Sequence, residues 1–315
     1  MTETRLPDFF IGGAMKSGTS TLHFLLASHP DVYMPRQELH FFSLDDIVQH
    51  PELAGRSPRD WARPDYERDF DSNLAWYEAQ FTGARPDQLV GEHSTAYLAS
   101  PRVAPRIARL LPRARLIFLL RDPVRRALSH YWHMVRAGRA IHTFENSLRY
   151  APHTMLSRGF YREALEGFFR HFPREQIHVQ IFEEFVADVP AAFRKVEAFL
   201  ELRDALDVNG LSVHQHRGDA PLWPRLRLLQ NRLLRGATTR HTAGPPARDA
   251  QPGSPRTLAR RIDAALRAAN PTVRRYPDAR PETVAFLQDL FARENAGLAE
   301  LIGQDVTRYW PYMEG

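Results

Sequence analysis

Apolar residues fall along this chain in two rhythms. Asp8–Ile11 and Arg115-Leu116-Ile117-Phe118-Leu119-Leu120 carry continuous apolar runs, as strands covered on both faces of a parallel sheet do. Gln88–Val90 and Ile177–Phe182 read as two further strands. Helical spacing appears at Ser20–Ser28, where Leu22, Leu25 and Leu26 share a face, and again at Pro101–Leu111, Pro123–Arg136, Tyr161–His171 and Ala191–Leu200. This alternation predicts an α/β fold with a central parallel sheet flanked by helices as far as about residue 205. Beyond it the chain predicts helices at Leu222–Leu234 and Arg256–Ala269, and a last one over Glu282–Ile302 with Val284, Leu287, Leu290, Phe291, Leu298 and Leu301 as its apolar stripe. Gly236–Pro255, "GATTRHTAGPPARDAQPGSP", lacks periodicity and reads as a flexible loop. One domain over 1–315 is expected, with a core at 1–205 and a helical extension at 206–315.

Composition narrows the setting. With 315 residues, 43 % hydrophobic and 25 % charged, the chain can bury a sizeable core. It has no cysteine, so disulfides and thiolate metal sites are excluded. No apolar run approaches the ~18 residues of a membrane span, and Met1–Arg5 lacks a signal-peptide pattern, so a cytoplasmic protein is expected. Net charge is +5, and every basic residue except Lys16 and Lys195 is arginine. That bias reads as a GC-rich, bacterial genome, and it makes Lys16 informative: a compact ammonium is wanted there instead of a planar fork.

Lys16 lies in Gly12-Gly13-Ala14-Met15-Lys16-Ser17-Gly18-Thr19-Ser20-Thr21, between the first strand and the first helix. The ATP/GTP loop places its lysine after the last glycine; here it comes two residues before Gly18. Small residues let successive N–H groups turn into one concavity, and the helix adds its positive end. Lys16, Ser17, Thr19, Ser20 and Thr21 offer side-chain donors to a phosphate or sulfate; an ordinary Ser/Thr cap is the plainer alternative. A second anion site is suggested by Arg121, leaving the strongest strand, and Ser129 in the helix that follows. Two such sites on adjacent strand ends fit a nucleotide with phosphates on both sides of its ribose.

Lys16-Ser17-Gly18-Thr19-Ser20-Thr21 resembles the 5′-phosphosulfate loop of the sulfotransferases, and Arg121-Asp122-Pro123 through Ser129 resembles their 3′-phosphate site. "ASHPDVYMPRQELHFFS", Asn73-Leu74-Ala75-Trp76-Tyr77, "GEHSTAYLASPRV", "RGFYREALEGFFRHFP" and "KVEAFLEL" are similar, in consistent order from Phe9 to Leu202, to the heparan sulfate (glucosaminyl) sulfotransferases and their bacterial relatives. The resemblance implies a P-loop-like sulfotransferase fold, 3′-phosphoadenosine 5′-phosphosulfate (PAPS) as co-substrate, and no metal. It implies that Lys16 neutralises the leaving oxygen, that the Gly18–Thr21 backbone holds the 5′-phosphate, and that Glu92 is the base. His93 stands where the heparan enzymes usually carry lysine, giving a second candidate base beside Glu92. Arg158 and Tyr161 resemble donor-contacting positions, and Arg274 is the one match to a basic lid near the end. Glu38 and His40 resemble a signature near the acceptor cleft, where Phe41 and Phe42 can equally be core. His130/His133 and His214/His216 have metal-like spacing without a carboxylate pattern and read as solvated or core histidines.

The 206–315 region is expected to form the acceptor side and lid. From Arg217 to Arg280 it has 14 arginines against four aspartates, written either for an anionic acceptor or as a solvated surface. Leu222-Trp223-Pro224-Arg225-Leu226-Arg227-Leu228-Leu229 is a basic amphipathic stretch whose apolar face is expected to pack on the core or over the acceptor cleft, in preference to a membrane. A saccharide or small-molecule acceptor is expected, and no nucleic-acid partner. A P-loop kinase and a non-catalytic nucleotide or polyanion binder remain the rival readings; the displaced lysine and the lack of a strand-end Walker-B carboxylate disfavour the kinase.

Overall fold

A computed structural model describes residues 5–50, 65–208, 220–238, 255–273 and 279–313. β1 (Phe9–Gly13) runs through the glycine loop into α1 (Thr19–Ser28) and a short edge strand, β2 (Val32–Tyr33). α2 (Phe70–Glu78), β3 (Leu89–His93), α3 (Val103–Leu110) and β4 (Arg115–Leu120) follow. α4 (Pro123–Arg136), α5 (Phe144–Tyr150), α6 (His153–Leu156) and α7 (Tyr161–Phe169) lead to β5 (Ile177–Ile181), α8 (Phe182–Ala187) and α9 (Val189–Leu200). The C-terminal part contains β6 (Ala220–Pro221), α10 (Pro224–Thr238), α11 (Pro255–Ala269), β7 (Thr272–Val273), α12 (Pro281–Glu294) and α13 (Leu298–Ile302).

The first five strands form a parallel sheet in the order β2-β3-β1-β4-β5, while β6 and β7 pair antiparallel apart from it. β1 therefore lies between β3 and β4, and the segments leaving these three strands emerge side by side at the carboxyl edge, where open α/β sheets bind ligands. Both sheet faces are buried. Phe10, Leu116, Phe118 and Leu120 join one core cluster with Tyr77, Tyr97 and Tyr161. Phe9, Ile11, Ile117 and Leu119 point the other way, against Leu22, Leu25 and Leu26 of α1 and Phe193 and Val196 of α9. This two-sided burial is why β4 reads as an unbroken apolar run.

The expected helix over Glu282–Ile302 is two helices, α12 and α13. Gly297, at φ 81°, caps α13, and the Asn295 side chain leaves the helical line. Asn295 Nδ2 donates to Gly159 O at 2.9 Å while its Oδ1 accepts from Tyr161 N at 2.7 Å, so the C-terminal helices brace the turn that begins α7. The expectation for the Leu222–Leu229 face is corrected. α10 buries Arg227, Leu228, Gln230 and Asn231, and it exposes Leu222, Trp223, Leu226, Leu229 and Leu233. Buried hydrogen bonds, together with Leu228 packed into the cluster of Tyr131, Trp132 and Phe144, hold its inner face. Of the expected loop at 236–255, residues 239–254 lie outside the described residues, as do Arg274, His214 and His216.

Candidate active site

The glycine loop is built around two left-handed residues. Lys16 has φ 72° and Gly18 φ 85°. A Cβ on Gly18 would come within 2.8 Å of the Phe182 ring, so glycine is required by space as well as by conformation. Gly18 is the N-cap of α1 and supplies no side-chain cap, which leaves the first-turn N–H groups of α1 without a side-chain acceptor. Ser17 Oγ is buried with no hydrogen-bond partner among the described residues. An anion of phosphate size satisfies both features.

Arg121 leaves β4 beside this loop. Its Nη1 donates to Lys16 O at 3.1 Å, and its guanidinium lies 4.7 Å over the Phe182 ring. Asp122 does not take Arg121 as its partner: it caps α4, accepting from Arg125 N at 2.8 Å, with Pro123 in the first turn. Tyr161 OH donates to Arg121 O at 2.7 Å. Ser129 is buried nearly two turns into α4, and residues 133 and 136 follow it at helical spacing on the same side. That spacing was the available signal for His133 and Arg136. Burial, Arg136 and Arg121 push the Lys16 ammonium down to about 8, with Glu38 opposing them. Burial and then Lys16 and Arg136 hold His133 neutral, down at about 4. Lys16, Arg121, Arg136 and Glu38 thus act on one another within one small site.

Arg158 is buried beneath the loop. Its Nε and Nη2 donate to Gln49 Oε1 at 2.8 Å and Gln49 O at 2.7 Å, and its Nη1 reaches Met15 Sδ at 2.7 Å. Gln49 is a member of the site that the sequence did not signal, because it lies far from every motif.

The two glutamates occupy different environments. Glu92, on β3, is 0 % exposed. Its Oε1 accepts from Ser94 Oγ and from Tyr97 OH, each at 2.6 Å, and its Oε2 accepts from Tyr77 OH. Burial raises its carboxyl to about 7 against these three donors, with Glu38 adding to the rise. The structure does not bring Glu92 to the cleft. Glu92 instead orients the hydroxyls of Ser94 and Tyr97 so that they accept from His40 N at 2.9 Å and Phe42 N at 3.3 Å. The segment fixed in this way carries Glu38, whose side chain is 32 % exposed. Glu38 Oε2 accepts from Thr95 N at 2.9 Å and Thr95 Oγ1 at 2.8 Å and lies 3.4 Å from His40 Nε2; no described residue bonds its Oε1. Burial alone would raise the Glu38 carboxyl, but the His93 and His40 rings and the Thr95 donors outweigh it and hold it below the ordinary value. His40 itself is at φ 54°, an uncommon conformation for a residue with a Cβ, as is Lys16.

His93 points to the opposite side of β3 from Glu92, as neighbours on a strand do. Its ring stacks on His23 at 5.0 Å, and burial lowers it to about 4, so it is neutral near pH 7. Phe41 and Phe42 are fully buried in the aromatic core with Tyr66 and Tyr77. His130 is buried on α4 with its ring 6.5 Å from that of His133.

Known proteins similar to this chain are sulfotransferases. Heparan sulfate glucosamine 3-O-sulfotransferase 5 of Homo sapiens is 26 % identical over 248 residues, covering 75 % of this chain and 64 % of that protein. Heparan sulfate glucosamine 3-O-sulfotransferase 3B1 of Homo sapiens is 29 % identical over 208 residues, covering 63 % and 47 %. The chain thus spans less than two thirds of the length of these curated relatives. The crystal structure of a sulfotransferase from Alicyclobacillus acidocaldarius superposes with a TM-score of 0.64 at 25 % identity, over 98 % of this chain and 99 % of that one. The profile of the sulfotransferase family matches residues 7–205, the whole of the parallel sheet and the loops that leave it. On that match the chain belongs to the sulfotransferase family.

Proposed function

We propose that the protein moves the sulfuryl group of PAPS to a hydroxyl or amine of a saccharide or small molecule. The observation that carries this reading is that Lys16, an ammonium crowded by cations, feels Glu38, a part-exposed carboxylate with one oxygen that no described residue bonds, beside a loop that fits a phosphate. When bound, the donor supplies the sulfuryl group and a bisphosphate leaving group. Ser17 and the first turn of α1 bind its 5′ side, and Arg121 with Ser129 orients its 3′ side. Lys16 Nζ offsets the charge that develops on the leaving oxygen, in a site where desolvation strengthens it. Arg158 and Gln49 hold the loop at Met15, and Tyr161 holds the Arg121 carbonyl. The naming of the human relatives for heparan sulfate glucosamine supports a saccharide acceptor.

For the proton of the acceptor we propose Glu38 Oε1 in place of Glu92. A base must reach the proton it removes, and Glu92 has both oxygens committed to hydroxyls inside the core. Glu92 is then a positioning residue acting through Ser94 and Tyr97. The test is labelled sulfuryl transfer from PAPS across saccharide, lipid and small-molecule acceptors, followed by Glu38→Gln and Glu92→Gln. Glu38→Gln is expected to cut turnover by about 10²–10⁴-fold. Glu92→Gln is expected to lose about 1–3 kcal/mol of stability through a mismatched buried network while still turning over. The pH profile separates the two: with Glu38 as base the acid limb of kcat/KM lies below the ordinary glutamate value, whereas with Glu92 it falls near 7. An acid limb near 7, abolished by Glu92→Gln, would return the role to Glu92.

A further inference from the structure

α10 and α11 form a hairpin that is inside out. Its inner face buries Leu228 among polar groups: Arg227 Nη1 donates to Asp263 Oδ1 at 3.0 Å, Gln230 Nε2 to the same oxygen at 2.7 Å, and Asn231 Nδ2 to Val135 O at 3.0 Å and Ala140 O at 2.8 Å. Its outer face carries Leu222, Trp223, Leu226, Leu229 and Leu233, between 45 % and 74 % exposed, and Ile262 and Leu266 of α11 are exposed as well. A soluble helix has the opposite pattern, with its leucines inward. An exposed apolar stripe of this kind calls for an apolar cover.

Charge identifies the cover. Exposed Arg225 and Arg232 fall four and three residues from Leu229, beside the leucine stripe, and Arg261 is exposed on α11. α10 contains no acidic residue, and the single acid of α11, Asp263, is buried against Arg227 and Arg267. A leucine stripe with an interfacial tryptophan and flanking arginines is complementary to an anionic bilayer, whose interior takes the apolar side chains while its headgroups meet the guanidinium groups. At the start of α10 the stripe runs into an apolar groove of about 420 Å³ beside Tyr131, Trp132, Phe144 and Leu228, with Glu145 and Arg225 at its rim. The groove has room for an apolar chain.

We propose that the outer face of the α10–α11 hairpin docks on the surface of an anionic lipid bilayer. Among the described residues no helix is long and apolar enough to cross a membrane, so the contact proposed is with the surface. The hairpin is fastened to the last turn of α4, where Arg227 Nη2 and Arg267 Nη1 donate to Arg136 O at 3.3 Å and 3.0 Å. The Arg136 side chain in turn acts on Lys16. The contact itself does not depend on which acceptor the enzyme uses.

The test is co-sedimentation of the full chain with vesicles of phosphatidylcholine alone and of phosphatidylcholine mixed with phosphatidylglycerol, over a salt series. Binding to the mixed vesicles, weakened by salt, is expected. Substituting Leu226, Leu229 and Leu233 together by Gln should abolish it, and each of Arg225→Gln and Arg232→Gln should weaken it by about fivefold. Both sets should leave the melting temperature and the affinity for adenosine 3′,5′-bisphosphate unchanged, since none of these residues touches the loop. Failure of the wild type to sediment with the mixed vesicles would overturn the proposal, as would undiminished binding of the leucine variant. So would a wild-type dimer in light scattering that the leucine substitutions dissociate without any vesicle binding, since a second copy would then be the cover.

Discussion

The ammonium of Lys16 is poised to take up an anion. Burial together with Arg136 and Arg121 lowers it to about 8, so the free protein holds this proton weakly. A bound phosphosulfate or bisphosphate favours the charged form and raises the value again. Above pH 8 the free protein has lost the proton that the complex keeps, so binding must draw one from solution. Calorimetry of adenosine 3′,5′-bisphosphate in buffers of different ionisation enthalpy should show net proton uptake near pH 8 to 9 and little near pH 6. Lys16→Met should remove the uptake; equal heats in all buffers at pH 8.5 would show that Lys16 does not meet the ligand. Lys16 was legible in the sequence because the loop, the glycines and the helix start are all local. The different environments of Glu38 and Glu92 were not: they depend on Tyr77, Ser94 and Tyr97, whose hydroxyls converge on Glu92 only when α2 packs against β3.

Among the elements, α4 carries the most of the site, and its start is set by a cap. Asp122 accepts from Arg125 N, and Pro123 supplies a preset first turn, so the helix begins immediately after Arg121 and delivers Ser129, His133 and Arg136 along one side. Asp122→Ala should cost about 1 kcal/mol of stability, read as a lower denaturant midpoint, whereas Asp122→Asn should recover most of it. An alanine variant as stable as the wild type would mean that the cap does not hold this helix. The bounds of α4 and of β4 were readable directly, one from Asp-Pro and the last amphipathic turn, the other from an unbroken apolar run. Two elements misled. α12 and α13 read as a single helix because the apolar stripe continues across Asn295, whose role is a tertiary hydrogen bond to the α7 turn. α10 read as packing its leucines inward because amphipathic periodicity gives the spacing of a face and not its direction. The buried Arg227–Asp263 pair settles the direction, and its two partners are separated by a segment without periodicity.

At the scale of the whole molecule, the strand order makes the site. β1 lies between β3 and β4, so the Lys16 loop, the Ser94–Thr95 segment and Arg121 leave the sheet as neighbours although more than a hundred residues separate the first from the last. Alternating strands and helices announce a parallel sheet in the sequence, but they do not state its strand order. The closeness of Arg121 to the Lys16 loop was therefore inferred from motifs and is explained only by topology. The C-terminal helices complete the assembly by bracing the Arg158–Tyr161 turn through Asn295. A nucleotide with phosphates on both sides of its ribose is what two adjacent strand-end anion sites accommodate, and this separates the proposed donor from a nucleoside triphosphate. The most direct measurement is a calorimetric titration of the full chain with adenosine 3′,5′-bisphosphate and, separately, with ATP, repeated on Arg121→Ala. The account predicts that the bisphosphate binds more tightly than ATP and that Arg121→Ala weakens the bisphosphate far more than ATP. Tighter binding of ATP, or a bisphosphate affinity indifferent to Arg121, would contradict it.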